Sequence, residues 1–206
     1  ISVPFLDKLY SGFNEICNQF KVELAGGDTV SSPKCFFINV TVIGEAKRVF
    51  TRKGAKPGDL IFVTGTLGDS SLGLKLLGKN KKGGKDNKFL IDRHLDPTPR
   101  VQEAGILARS KINITSMIDI SDGLVQDLYH ICKASNVGAR IYQDRLPQSA
   151  EFARICGRNS IPPIPLLLNG GEDYELLFTL PADGVKNLNR QFEKAEALVT
   201  HIGEIT

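Results

Sequence analysis

The sequence predicts an α+β domain built on a layered mixed sheet with helices. Short apolar runs rich in β-branched and aromatic residues, at 60–64, 114–118, 138–142, 174–180 and 198–202, read as strands. Stretches with apolar residues three and four apart read as helices. The two kinds follow one another without strict alternation, which argues against a simple strand–helix–strand parallel sheet. The chain has 206 residues, of which 41% are hydrophobic and 24% charged, so it can bury a core and has a globular composition.

Residues 4–20 place Phe5, Leu6, Leu9, Phe13, Ile16, Cys17 and Phe20 along one helical face, with Pro4 in the first turn, where proline is tolerated. Residues 22–25 read as a short buried strand ending at Gly26-Gly27, and 36–43 as a second strand. Pro57-Gly58-Asp59 signals the turn into the strand at 60–64. A helix begins near Asp69, which is expected to cap it, and Leu72, Leu74, Leu76 and Leu77 are its apolar part. The lysine-rich run 79–88 reads as a solvated loop. Helices are expected at 89–95 and 101–108, separated by Pro97 and Pro99, and a strand at 114–118. Leu124, Leu128 and Ile131 then mark a helix to about residue 135. A strand at 138–142 and a helix at 152–156 follow, and Pro162-Pro163-Ile164-Pro165 is expected to be a connector. The strand at 174–180, a helix at 185–192 and the strand at 198–202 complete the order.

Several function classes lose support at once. A net charge of +3, part of it in the lysine run, is too small to point to nucleic acid. Cys17, Cys35, Cys132 and Cys156 are far apart and form no zinc-type spacing, which fits free thiols in a reducing cytosol. No apolar run approaches the ~20 residues of a membrane span, and no signal peptide is visible. The Gly65-Thr66-Leu67-Gly68-Asp69 turn lacks the Gly-Lys-Ser/Thr ending of a P-loop, and no serine-hydrolase or zinc-protease motif occurs. His94 and His130 have no partner visible in sequence and read as structural. The first residue is Ile1 rather than methionine, which points to a start inside a longer gene product.

Three acidic, glycine-bearing motifs carry the chemistry. In Asp119-Ile120-Ser121-Asp122-Gly123, a strand ends and a helix starts. Exposed amides at a helix N-terminus attract anions, Asp119 and Asp122 can hold a cation, and Ser121 can reach a phosphate; equally, Ser121 or Asp122 can serve as a helix cap. In Gly26-Gly27-Asp28-Thr29, the glycines allow positive φ and close ligand approach, and Asp28 can bind Mg²⁺ or close a tight turn on its own backbone. Gly170-Gly171-Glu172-Asp173-Tyr174-Glu175 holds three acids within four residues, which should face water, a cation or a polar ligand. Arg52 can pair bidentately with phosphate or simply face solvent.

Taken together and in order, these motifs resemble thiamine-monophosphate kinase. The matching stretches are Leu24-Ala25-Gly26-Gly27-Asp28-Thr29, Thr51-Arg52-Lys53-Gly54-Ala55-Lys56-Pro57-Gly58-Asp59 and Val63-Thr64-Gly65-Thr66-Leu67-Gly68-Asp69-Ser70. Arg93-His94-Leu95-x-Pro97-x-Pro99-Arg100, Ile118-Asp119-Ile120-Ser121-Asp122-Gly123-Leu124 and Gly170-Gly171-Glu172-Asp173-Tyr174-Glu175-Leu176 complete the set. The family belongs to a wider group with aminoimidazole ribonucleotide synthetase, selenophosphate synthetase and a hydrogenase-maturation protein, all binding ATP between two α+β domains.

The resemblance implies ATP-dependent phosphorylation of thiamine monophosphate to thiamine diphosphate with release of ADP, by direct in-line transfer assisted by Mg²⁺. By motif, Asp28, Asp119 and Asp122 resemble Mg²⁺ ligands, Gly27, Arg52 and Ser121 resemble ATP contacts, and Glu172 resembles a substrate contact. No protein nucleophile is implied. Residues 1–46 correspond to the C-terminal remnant of the family's N-terminal ATP/Mg-binding domain, 47–54 to a linker, and 55–206 to the synthetase-like C-terminal domain, incomplete at its end. The family's N-terminal third, with further acidic motifs, is not in this sequence, so the chain alone is expected to be inactive. The resemblance further implies a cytoplasmic enzyme that forms a homodimer at full length. Two alternatives remain open: a related ATP-using synthetase, and a non-catalytic Mg-nucleotide-binding module.

Overall fold

The computed structural model describes residues 1–79 and 83–206 and divides into two compact units, residues 1–46 and 47–206. In the first, α1 (Val3–Phe20) takes Pro4 in its first turn and ends at Lys21 in the left-handed conformation. The Val22 N–H returns to the Cys17 carbonyl at 2.9 Å, which satisfies one of the last free carbonyls of the helix. Phe5 meets Phe36 edge-on at 5.2 Å between ring centroids. The strands expected at 22–25 and 36–43 do not form. A strand exists by its ladder, and no described residue of this unit supplies one. Phe37, Val40, Val42 and Ile43 consequently stay exposed despite their strand propensity.

The second unit holds one five-stranded antiparallel sheet. Its strands are β1 (Leu60–Thr64), β2 (Ser116–Asp119), β3 (Ala139–Ile141), β4 (Leu176–Leu180) and β5 (Val199–Ile205), in spatial order β2-β4-β1-β5-β3. The helices are α2 (Asp69–Gly78), α3 (Lys85–Leu95), α4 (Val101–Arg109), α5 (Leu124–Ser135), α6 (Ala150–Asn159), α7 (Pro163–Asn169) and α8 (Val185–Lys194).

Side-chain alternation divides the core between the two sheet faces. Ile61, Val63 and Leu177 point to one face and pack with Leu72, Leu90, Leu124, Phe152 and Leu167. Phe62 and Phe178 point to the other, stacked at 5.9 Å, and pack with Leu107, Leu188 and Phe192. Helices therefore cover both faces, α4 and α8 on the second. This is why residues 60–63 form an unbroken apolar run: a strand buried on both sides has no polar face to show.

Three local expectations change. The proline-rich stretch at 162–165 is not a plain connector; it opens α7, because proline needs no amide partner in the first turn of a helix. Asp69 does not cap α2. Gly68 occupies the cap position, and Asp69 turns inward to Thr66 and Ser149, each at 2.6 Å. Of the 79–88 run expected as a loop, residues 85–88 begin α3, and residues 80–82 lie outside the described residues. Elsewhere the helices extend beyond the expected bounds, most at 150–159, where the Ser149 hydroxyl accepts the Phe152 N–H and starts α6 two residues early.

Candidate active site

The strand β2 delivers Asp119 at its last position, opposite Leu176 of β4. The chain then turns through residues 119–123 into α5. One carboxylate oxygen organises this turn. Asp127 Oδ2 accepts the N–H groups of Ser121, Asp122 and Gly123 at 3.0, 3.1 and 3.2 Å. Asp127 lies four residues beyond Gly123 and is only 2% exposed. Neither Ser121 nor Asp122 caps α5. Gly123 does, at φ 124°, a conformation side chains rarely adopt, and an added Cβ would lie 2.9 Å from the Asn169 backbone. The amides that the sequence offered to an anion are thus already taken by Asp127.

With its amides turned inward, the loop turns its carboxylates outward. Asp119 and Asp122 are exposed and Ser121 is half-buried. Alongside, the Met117 N–H donates to the Thr51 carbonyl at 2.9 Å, which lays residues 50–52 beside β2. Arg52, Asp119, Ser121 and Asp122 consequently line one polar cleft of about 510 Å³, floored by Asp127 and His130. Among the described residues, the Arg52 guanidinium, the Ser121 hydroxyl and the Asp119 and Asp122 carboxylates make no hydrogen bond or ion pair within the chain. A larger, mainly apolar groove of about 710 Å³ runs between α5 and β3, past Val125, Tyr129 and Ile141. No side-chain carboxylate lines it, whereas Asp119, Asp122 and Asp127 line the polar cleft, the candidate site.

From sequence Asp127 carries no role and His130 reads as structural, yet both line the cleft. Asp122, Asp127 and His130 each offer a ligand atom, all within 4.8 Å of one another. The available signal was an acid in the first turn of a helix followed three residues later by histidine, a spacing that shares one helical face.

The second acidic motif packs directly against this loop. Glu172 N–H donates to the Ser121 carbonyl at 2.8 Å, Tyr174 N–H to Ile120 at 2.9 Å, and Ile120 N–H to Glu175 at 2.8 Å. Gly171 is required by proximity, since a Cβ there would sit 2.5 Å from the Ser121 carbonyl oxygen. Left-handed φ at Glu172 (64°) and Tyr174 (51°) send the three acids different ways. The expectation that all three face water, a cation or a ligand is corrected: only Glu172 is exposed. Its carboxylate lies 3.4 Å from His94 Nδ1, and that nitrogen also contacts the Ser70 hydroxyl at 3.0 Å.

Asp173 is buried and accepts the Gly68 and Ser70 N–H groups at 2.7 and 3.2 Å, performing for α2 the capping role expected of Asp69. Burial pushes its pKa up to about 7, with the two amide bonds opposing. Burial also raises Asp69. Glu175 is 0% exposed. It takes Thr64 Oγ1 at 2.7 Å, Arg93 at 2.9 Å and Arg100 through two bonds of 2.7 and 2.6 Å, a bidentate charged pair inside the fold.

Gly27 and Asp28 belong to the first unit, where both are exposed. The Thr29 N–H donates to Asp28 Oδ1 at 2.8 Å. Neither Gly26 nor Gly27 adopts the positive φ that the motif allowed; an added Cβ would meet nothing within 4 Å at Gly26 and the Tyr10 hydroxyl at 3.8 Å at Gly27.

The family model described as AIR synthase related protein, C-terminal domain, matches residues 56–206, and its N-terminal counterpart matches residues 2–46. The thiamine-monophosphate kinase of Buchnera aphidicola subsp. Schizaphis graminum is 40% identical over 213 residues, covering 100% of this chain and 64% of the relative. The crystal structure of thiamine monophosphate kinase from Aquifex aeolicus is similar at 34% identity and TM-score 0.81, covering 100% of this chain and 66% of that one. A structure of AaThiL complexed with AMPPCP and TMP is similar at 33% identity and TM-score 0.82, covering 100% and 63%. The chain therefore spans 63% to 66% of the length of these three relatives. Among the described residues, no helix is long and apolar enough to cross a membrane. The chain belongs to the AIR synthase related protein family, and the relatives it resembles here are thiamine-monophosphate kinases.

Proposed function

We propose that this chain is part of a thiamine-monophosphate kinase, which moves the γ-phosphoryl group of ATP onto thiamine monophosphate and releases thiamine diphosphate and ADP. The observation that carries the proposal is the polar cleft in which Arg52, Asp119, Ser121 and Asp122 meet with their side chains uncommitted. The relatives named thiamine-monophosphate kinase, similar along the whole of this chain, support the substrate assignment.

The donor set fits Mg²⁺: two exposed carboxylates at a helix N-terminus offer hard oxygen ligands and leave room for water and phosphate oxygens. In this reading Asp119 and Asp122 hold the ion, while Asp28, in the first unit, is a Mg²⁺ ligand by its motif alone. Bound there, Mg²⁺ supplies charge neutralisation across the phosphates. Arg52 binds phosphate oxygens and Ser121 offers its hydroxyl, while Gly27, in the first unit, resembles an ATP contact by its motif alone. Glu172, whose backbone is bonded to the Ser121 carbonyl, orients the acceptor. Phosphoryl transfer needs positioning more than covalent help, so no residue is assigned as a nucleophile.

The same reading makes residues 1–46 the end of the N-terminal domain, 47–54 a linker and 55–206 the C-terminal domain. It also makes the full-length protein a cytoplasmic homodimer. The test is to incubate the full-length gene product carrying this chain with Mg-ATP and thiamine monophosphate and to identify the products by mass. Thiamine diphosphate with equimolar ADP is expected. ADP and phosphate without thiamine diphosphate, or nucleotide binding without turnover, would overturn the proposal.

A further inference from the structure

We infer that Asp127 is a positioning residue: it holds the 119–123 loop in the shape that presents Asp119 and Asp122 to a cation. The inference rests on the reading of the polar cleft as a Mg-nucleotide site. Asp127 Oδ2 accepts three consecutive backbone N–H groups, from Ser121, Asp122 and Gly123, at 3.0 to 3.2 Å. Bonds from N–H groups to an ionised carboxylate are stronger than neutral ones, and this carboxylate is nearly excluded from water. A loop wrapped around an internal anion has its amides fixed inward, so its side chains must point the other way. The separation of the two outward carboxylates is therefore set by a residue that reaches the cleft only from beneath.

The arrangement also bears on how phosphate can bind. A helix N-terminus normally offers its free amides to an anion. Here an internal carboxylate has consumed those of Ser121, Asp122 and Gly123, and it adds negative charge beneath them. Phosphate oxygens must then be met by Arg52, by the Ser121 hydroxyl and by the cation that Asp119 and Asp122 hold. Nucleotide binding at this loop is expected to require the divalent ion.

A competing role is concrete, because Asp122, Asp127 and His130 lie close enough to share an ion directly. Asp127→Asn separates the two. It keeps a carbonyl oxygen able to accept the three amides and removes the charge a direct ligand would need. Asp127→Ala removes both. The measurement is Mn²⁺ titration of the full chain by paramagnetic resonance, with amide hydrogen exchange at residues 121–123. Asp127→Ala is expected to weaken Mn²⁺ binding about 10-fold or more, in the range found for residues that orient metal ligands. It should also release the three amides to fast exchange. Asp127→Asn is expected to stay within roughly 3-fold of the parent and to keep most of the protection.

Unchanged Mn²⁺ affinity in Asp127→Ala would overturn the inference by making the residue merely structural. Equal loss in the Asn and Ala variants would overturn it in favour of direct ligation. If Asp127→Ala does not fold, Asp127→Ser replaces it, since its side chain is too short to gather all three amides. None of these readouts involves thiamine monophosphate. Failure of the kinase reading therefore shows up separately, as a parent protein that binds Mn²⁺ but makes no thiamine diphosphate.

Discussion

Two loops of this molecule are built from the same materials, glycine and carboxylates, and use them in opposite ways. The 119–123 loop turns the amides of residues 121–123 onto an internal aspartate and leaves Asp119 and Asp122 in the cleft without partners among the described residues. The 170–175 loop, hydrogen-bonded to it, turns Asp173 and Glu175 inward onto the α2 amides and two arginines and leaves only Glu172 outside. An acid without a protein partner remains available to a ligand, whereas an acid already paired holds the fold together. The difference teaches that acidic character alone does not mark a binding residue; the fate of its partners does.

The sharpest way to break the comparison is to remove a buried acid. Glu175→Ala leaves Arg93 with only Asp69 at 3.9 Å and Arg100 with only Glu103 at 3.6 Å, their side chains 13% and 19% exposed. Stability should fall by about 3 to 5 kcal/mol, the cost of removing one partner of a buried ion pair, read from the urea midpoint. A loss below about 1 kcal/mol would mean that the arginines find water instead.

The second effect is a pH dependence confined to the buried loop. The pKa of Asp173 is raised by burial from 3.8 to about 7. Between those values the folded state holds a proton that the unfolded state has released, so the contribution of Asp173 is fully present below pH ~4 and lost as pH rises through ~7. The stability of the parent should decline by roughly 2 to 4 kcal/mol over that window relative to Asp173→Asn, which cannot titrate. Parallel pH profiles for the two proteins would show that Asp173 is ionised throughout. Asp69, raised for the same reason, adds a slope of the same sign to both.

The exposed loop should behave in the reverse manner. Asp119→Asn in the full-length protein is expected to reduce turnover about 100-fold, near 2.7 kcal/mol in the barrier. Stability should stay within about 0.5 kcal/mol, as for other surface positions. Normal turnover would remove Asp119 from the cation site. The smallest effect is expected at Glu172, the exposed acid of the otherwise buried loop. Glu172→Gln should raise KM for thiamine monophosphate roughly 3- to 10-fold, about 1 kcal/mol, with little change in Tm. A stability loss like that of Glu175 would place Glu172 with the structural acids.

Much of this was legible before any coordinates. The five strands and most helices of residues 47–206 follow from runs such as 60–64 and from the spacing of Leu124, Leu128 and Ile131. These elements were legible because burial and periodicity act within a few residues of chain. The strands expected at 22–25 and 36–43 were misread for a related reason: propensity is local, but a strand also needs a neighbour, and sequence does not list neighbours. The cleft was legible in Arg52, Asp119, Ser121 and Asp122. Asp127 was not, because nothing local distinguishes an aspartate that faces water from one that gathers three amides beneath a loop.

The sequence by itself determined the α+β class, the order of elements in the sheet domain, and the acidic loops as the place to look for chemistry. Only the tertiary structure decided which acids face outward. That choice depends on Arg93, Arg100 and the amides of residues 68 and 70, all far along the chain from Asp173 and Glu175. A carboxylate's role is set by whether those distant groups reach it before solvent or a ligand does, and distance in space is what a linear sequence does not record.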